Sequence, residues 1–269
     1  MKLREALQGK IPAEALKQTN TSFDTIGDVA ILELDEELRE YMPLIAQTLL
    51  ELHKNIRVVV RKASEHEGEL RIQTYEHLAG EQRTETVAKE NGLELYLDIN
   101  ETYYSPRSQN ERLRIINEVQ PGERVLVMYS GIGPFTLGIA KNTKASEVIG
   151  VELNKQAHKY AQHNTKRNKA SNVKNYCADV EEIIPTLGSF DRVIMPLPHT
   201  AHEHLQLATN TTKPGGVIHL YCFATPEEIH EEAKSYQEEV KQKLRVEQIT
   251  KCGTYNPAVN RWCVDYKRA

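Results

Sequence analysis

Apolar residues recur at two different periods along this chain. Leu38, Met42, Ile45, Leu49 and Leu52 fall at helical spacing behind Asp35, which stands where a helix cap would. Leu93, Leu95, Leu97 and Ile99 instead alternate with Glu94, Tyr96 and Asp98, the pattern of a half-buried strand. Residues 29–34, 56–60 and 70–74 also read as strands, and residues 23–28 as a turn. The first 20 or so residues lean helical without a clear apolar face, so loose packing is expected there.

Beyond residue 120 strand and helix signals alternate. Arg124-Val125-Leu126-Val127-Met128 runs into Ser130-Gly131-Ile132-Gly133-Pro134-Phe135 and then a helix-like stretch from Thr136 to Lys141. A second buried run ends at Glu152, after which Asn154 can cap a helix with Ala157, Tyr160, Ala161 and Asn164 turned inward. Further strands are expected at 172–177, 191–195 and 215–222, then a polar helix over 226–244 and two last strands joined through Asn256-Pro257. The pattern is that of an α/β, Rossmann-like domain with a mostly parallel, doubly wound sheet, preceded by a small α+β domain. The expected division is residues 1–102, a connecting helix over 103–120, and the nucleotide-type fold over 121–269.

The glycine loop carries the first chemical signal. A strand, a Gly-x-Gly turn and a helix form a seat for a nucleotide-like ligand, because a side chain there would hold the ligand off the backbone. Glu152 ends the next strand, 21 residues after Gly131, where a carboxylate suits the two hydroxyls of a ribose. A dinucleotide fingerprint needs a third glycine, and Thr136 stands in its place. With Pro134 and Phe135 filling the space a diphosphate would need, S-adenosylmethionine is preferred over a nicotinamide cofactor. Asp179 follows the third strand and either accepts from an adenine amino group or caps the next helix. Pro196 and Pro198 make a stiff turn at the exit of the fourth strand, with carbonyls directed to the cleft.

Composition narrows the setting. The net charge of −4 gives no global attraction to nucleic acid, although Arg112 to Arg114 and Lys166 to Lys169 could form local basic patches. The four cysteines are scattered without metal-ligand spacing, so no metal is expected. No run is long enough to span a bilayer and the N-terminus lacks a signal-type apolar core, so a cytoplasmic protein with no membrane partner, monomeric, is the expectation. Ser105-Pro106 reads as a helix start that places Arg107 and Glu111 one turn apart, a surface ion pair on spacing alone.

Several separate motifs stand out: Phe23 to Ile31, His77 to Glu81, Thr84 to Val87, Glu90-Asn91-Gly92, Tyr104-Ser105-Pro106-Arg107 with Glu111-Arg112, Tyr129 to Phe135, and Leu197-Pro198-His199. Together they resemble the archaeal and eukaryotic tRNA guanine-37 N1-methyltransferases and the related wybutosine-pathway aminocarboxypropyltransferases. The resemblance implies a class I methyltransferase domain using S-adenosylmethionine on the anticodon loop of tRNA. Ser-Pro-Arg followed by Glu-Arg is similar to the methyl-transferring branch, whereas the length is similar to the aminocarboxypropyl branch. Pro196 stands where the methyltransferases usually carry asparagine, which resembles the archaeal subgroup that also methylates C7 of the tricyclic wyosine precursor.

By the same resemblance Glu111 takes the N1 proton, while Arg107, with Arg71 as a second cation, stabilises charge on O6. Tyr104, Gly131, Gly133, Pro134, Phe135, Glu152, Asp179 and Pro196 are expected around the cofactor. A module that binds tRNA or cofactor without catalysis is the alternative of a different class.

Overall fold

The computed structural model describes residues 2–64, 73–241 and 243–269. Arg71 and much of the strand expected over 70–74 lie outside the described residues. The chain divides into two compact units, Met1–Lys89 with Glu94–Pro106, and Glu90–Leu93 with Arg107–Ala269. The helix expected to connect two domains is therefore part of the second unit.

The first unit contains α1 (Leu3–Leu7), α2 (Ala13–Gln18), β1 (Phe23–Ile26), β2 (Val29–Leu32), α3 (Met42–Leu52), β3 (Val58–Lys62) and β4 (Tyr75–Gly80). The strands form one sheet in the order β1-β2-β3-β4, with β2 and β3 parallel and the outer pairs antiparallel. Leu38, Met42, Ile45 and Leu49 are buried, as their spacing implied. The N-terminal segment differs from expectation: Leu3, Leu7, Ile11 and Ala15 join the same core. Each of its two short helices offers too few apolar residues to show a period, yet Leu3 and Leu7 of the first and Ala15 of the second are buried. Residues 23–26 form a strand, and the turn shrinks to Gly27-Asp28. Gly27 has φ +58°, and a Cβ there would lie 2.1 Å from Thr86 Oγ1, so only glycine fits. Asp35 makes no side-chain cap and precedes a single 3-10 turn. A hairpin of β5 (Glu85–Glu90) and β6 (Leu93–Asp98) completes this half of the chain, with β6 alternating between buried and half-buried positions.

The second unit begins with a 3-10 turn, Pro106–Ser108, followed by α4 (Gln109–Glu118). Regular helix therefore starts later than Ser105-Pro106 suggests. Then come β7 (Arg124–Val127), α5 (Pro134–Asn142), β8 (Glu147–Glu152), α6 (Lys155–Arg167), β9 (Val173–Cys177), α7 (Val180–Ile183), β10 (Phe190–Met195), α8 (Leu205–Thr211), β11 (Thr212–Ala224), α9 (Ile229–Glu239), β12 (Leu244–Thr254) and β13 (Asn260–Arg268). The sheet runs β12-β13-β11-β10-β7-β8-β9. All its pairings from β11 to β9 are parallel, and β13 is antiparallel to both β11 and β12.

Helices cover both faces, so the central strands are apolar on both sides. Leu126, Ile149, Val193 and Leu220 pack on one face with Phe190 and Tyr266. Val125, Val127, Val148, Ile194 and Tyr221 pack on the other with Ile115, Ile116, Phe135 and Ile139 of α4 and α5. β7 and β10 are neighbours at the point where the strand order reverses, and open α/β sheets bind ligands outside the carboxyl ends of strands there. Among the described residues no helix is long and apolar enough to cross a membrane.

Candidate functional site

The loop after β7 is folded tightly against the end of β8. Tyr129, Gly131 and Gly133 all have positive φ, at +51°, +57° and +93°. Ser130 N donates to Val151 O at 2.9 Å, and Gly133 N to Ser130 O at 3.0 Å. Gly133 is the left-handed residue before α5, and Pro134 occupies the first turn, where a missing N–H costs nothing. The loop can lie this close because β8 carries Gly150. A Cβ there would come within 2.9 Å of Ser130 Oγ and 3.1 Å of Asn175 Oδ1. A lone glycine inside a strand beside a glycine loop is the signal that could have marked Gly150.

Glu152 links the loop to the sheet. Its Oε2 accepts from Gly131 N at 2.7 Å, and its Oε1 from Asn154 N at 2.8 Å. Burial raises its carboxyl above the ordinary value, opposed by the backbone N–H groups of Asn154, Gly131 and Leu153. With three backbone N–H groups on its roughly four acceptor sites, the carboxylate keeps room to accept from a ligand hydroxyl. Ser130 Oγ is buried with no hydrogen-bond partner among the described residues. An orphaned buried hydroxyl, two glycines with positive φ and a spare-valence carboxylate fit an adenosine-bearing ligand such as S-adenosylmethionine.

Asn154 caps α6 as its sequence implied, accepting from Gln156 N and Ala157 N. Asp179 caps α7 by accepting from Glu181 N at 2.8 Å, so the helix-cap reading holds for one of its oxygens. Pro196 follows the buried end of β10 and is half-buried.

Glu111 is buried in the first turn of α4, at 7% exposure. Arg114 donates to both of its oxygens, at 2.9 and 2.8 Å, and Tyr221 OH donates to Oε1 at 2.6 Å. The Tyr221 ring lies 6.1 Å from that of Phe135, the second residue of α5. Phe135 thus turns its ring into the core, towards the tyrosine that holds Glu111. Behind Glu111 a charge network continues. Arg114 reaches Asp265 at 3.0 Å, Asp265 meets His219 Nδ1 at 2.7 Å, and Arg192 meets His219 Nε2 at 2.6 Å. Arg192 in turn pairs with Glu123 at 2.8 Å. Tyr221, Asp265 and His219 carry no motif spacing and are invisible in sequence, because strand pairing alone brings them to α4, whereas Arg114 lies on α4 itself, three residues after Glu111.

The other expected site residues fall elsewhere. Arg107 is exposed in the 3-10 turn before α4, whereas Glu111 is buried in the first turn of the helix. Tyr104 belongs to the first unit, where it lines a small cleft with Tyr75, Tyr103 and Ile99. The basic stretch Arg112 to Arg114 is not a patch. Arg112 is buried against Glu90, with Nε donating to Oε1 at 2.6 Å, and Arg114 is committed to Glu111, Glu118 and Asp265. Lys166, Arg167 and Lys169 remain exposed.

The TRM5/TYW2 methyltransferase domain matches residues 86–249, and the TYW2 N-terminal domain matches residues 3–84. The chain is 43% identical over 213 residues to the tRNA (guanine(37)-N(1))-methyltransferase Trm5b of Pyrococcus abyssi, covering 79% of this chain and 63% of that one. It therefore spans less than two thirds of that relative's length. It is 33% identical over 200 residues to the tRNA 4-demethylwyosine(37)-methyltransferase Taw21 of Saccharolobus solfataricus, covering 74% of this chain and 76% of that one. The crystal structure of P. horikoshii TYW2 in complex with MeSAdo superposes with a TM-score of 0.84 at 28% identity, over 99% of this chain and 97% of that one. With a family match across more than half its length, the chain belongs to the TRM5/TYW2 methyltransferase family.

Proposed function

We propose that this chain is an S-adenosylmethionine-dependent transferase that methylates the base at position 37 of tRNA, on N1 of guanosine, on C7 of the tricyclic wyosine precursor, or on both. The observation that carries this reading is Glu111, a buried carboxylate whose partner Tyr221 packs against Phe135 of the glycine-loop helix. The names of the Pyrococcus and Saccharolobus relatives support guanine N1 and 4-demethylwyosine, respectively, as targets at position 37.

Glu152, the Gly131 and Gly133 backbone and Ser130 would hold the cofactor, which supplies an electrophilic methyl group on a sulfonium. N1 of guanine carries a proton at neutral pH, and a carboxylate within reach can accept it as the new bond forms, a role worth about 10² to 10⁴-fold. Arg107, exposed at the head of α4, is the candidate cation for the charge that develops on O6. The target base has to leave its stack to reach such a site, and a loop base is already partly free of pairing.

A second reading has its own support. The N-terminal residues match the TYW2 N-terminal domain, and the P. horikoshii TYW2 structure superposes on both halves of the chain. This favours transfer of the aminocarboxypropyl chain from the same cofactor. Mass spectrometry of tRNA after incubation with cofactor separates them: methyl transfer adds one carbon unit, the alternative adds an amino-acid chain. Cofactor binding with no change in any tRNA would leave a binding module and overturn both.

A further inference from the structure

One face of the β11–β13 pair is ordered from charge to aromatic. In register, His219 stands opposite Asp265, Tyr221 opposite Cys263, and Phe223 opposite Arg261. Opposed and alternate residues share a face, so these pairs lie in a row. The first pair belongs to the network behind Glu111, and the second holds Glu111 itself. At the third, Arg261 Nη1 donates to Ser108 Oγ at 2.8 Å, which pins the turn that carries Arg107 beside Phe223.

Phe223 is capped by two further rings. Tyr255 lies 4.5 Å away at 38°, and His199 lies 4.7 Å away at 64°, with His199 and Tyr255 themselves 6.0 Å apart. His199 follows the stiff turn at the end of β10, and Tyr255 sits at the tip of the β12–β13 hairpin. The tip is closed by hydrogen bonds: Asn256 Oδ1 accepts from Ala258 N and Val259 N, and Tyr255 N donates to Val259 O. Tyr255 nonetheless remains 58% exposed, and His199 is exposed as well. The trio stands beyond the buried rows of the sheet.

We infer that His199, Phe223 and Tyr255 form a stacking platform for the unpaired nucleobase that neighbours the target nucleotide in the tRNA anticodon loop. The inference rests on the tRNA reading above. When a target base leaves the stack, its neighbour loses a stacking partner, and an exposed aromatic surface beside the turn that carries Arg107 replaces it. Stacking of this kind tolerates any base, because every base offers a flat π face.

The test uses the whole chain and tRNA carrying a fluorescent purine analogue next to the target nucleotide. Binding to the wild type should change the fluorescence of the analogue. Tyr255→Ala should weaken tRNA binding by about 5- to 100-fold and abolish the fluorescence change, with cofactor affinity unchanged. Tyr255→Trp should restore both. If the wild type modifies tRNA while Tyr255→Ala and Phe223→Leu bind it as tightly and give the same fluorescence, the platform is wrong and the function stands. If the wild type neither binds nor modifies tRNA, the function fails first and the platform with it.

Discussion

Tyr221 and Glu111, 110 residues apart in the chain, are joined by a hydrogen bond of 2.6 Å between the phenol and carboxylate Oε1. Burial raises the Tyr221 phenol well above its ordinary value, with Cys263 and Glu111 adding to the effect, so it stays a donor throughout the working range. With Arg114 donating to both oxygens, Glu111 is held by three donors in one orientation.

Glu111→Gln should slow single-turnover transfer to N1 by about 10² to 10⁴-fold at neutral pH while cofactor binding is kept. Rate should return at high pH, where N1 ionises unaided. The amide also turns a donor towards donors, so a stability loss of about 1 to 3 kcal/mol is expected alongside. Arg107→Ala should slow the same step by about 10² to 10³-fold with little effect on stability. Rapid-quench measurement across pH checks both; a wild-type rate for Glu111→Gln at neutral pH would remove it as the base.

Glu152 is the hinge of the cofactor reading, because it holds the Gly131 amide and is expected to hold ribose. Glu152→Ala should weaken S-adenosylmethionine binding by about 1 to 3 kcal/mol, as read by calorimetry. An unchanged affinity in a folded variant would refute the ribose assignment.

Arg112 and Glu90 form a buried pair with side chains 4% and 1% exposed. Removing one partner strands a charge away from water, so Arg112→Met should cost about 3 to 5 kcal/mol in urea unfolding. Arg112→Met with Glu90→Leu should recover most of that loss. Equal destabilisation in the single and double variants would show that packing, not stranded charge, sets the cost.

Burial by itself would raise the Asp265 carboxyl, but the His219 hydrogen bond and the Arg114 charge lower it from 3.8 to about 2. A depressed folded-state value favours the fold above the unfolded-state value near 3.8, and that contribution, roughly 2 kcal/mol, is lost as pH falls towards 2. Acid titration of unfolding free energy should show this slope, and Asp265→Asn should flatten it between about pH 4 and pH 2. An unaltered slope would place the acid sensitivity in other carboxylates.

Local pattern was enough for most of this protein. Alternation disclosed β6, helical spacing disclosed α3, and the run from Arg124 through Gly133 to Glu152 disclosed the loop and its acidic partner, because strand, turn and cap preferences act over neighbouring residues. Short elements were harder to read. The N-terminal helices each show too few apolar residues for a period, and β1 looked like part of its own turn. Charge was misleading at Arg112 and Arg114, since composition cannot tell a solvated arginine from one buried against Glu90 or Asp265. Only the tertiary structure decided what surrounds Glu111. Its partner Tyr221 reaches it through the packing of α4 on β11, and Asp265 and Cys263 come alongside by antiparallel pairing of β13. Such contacts depend on register across the sheet, which is a property of the assembled core and not of any stretch of sequence.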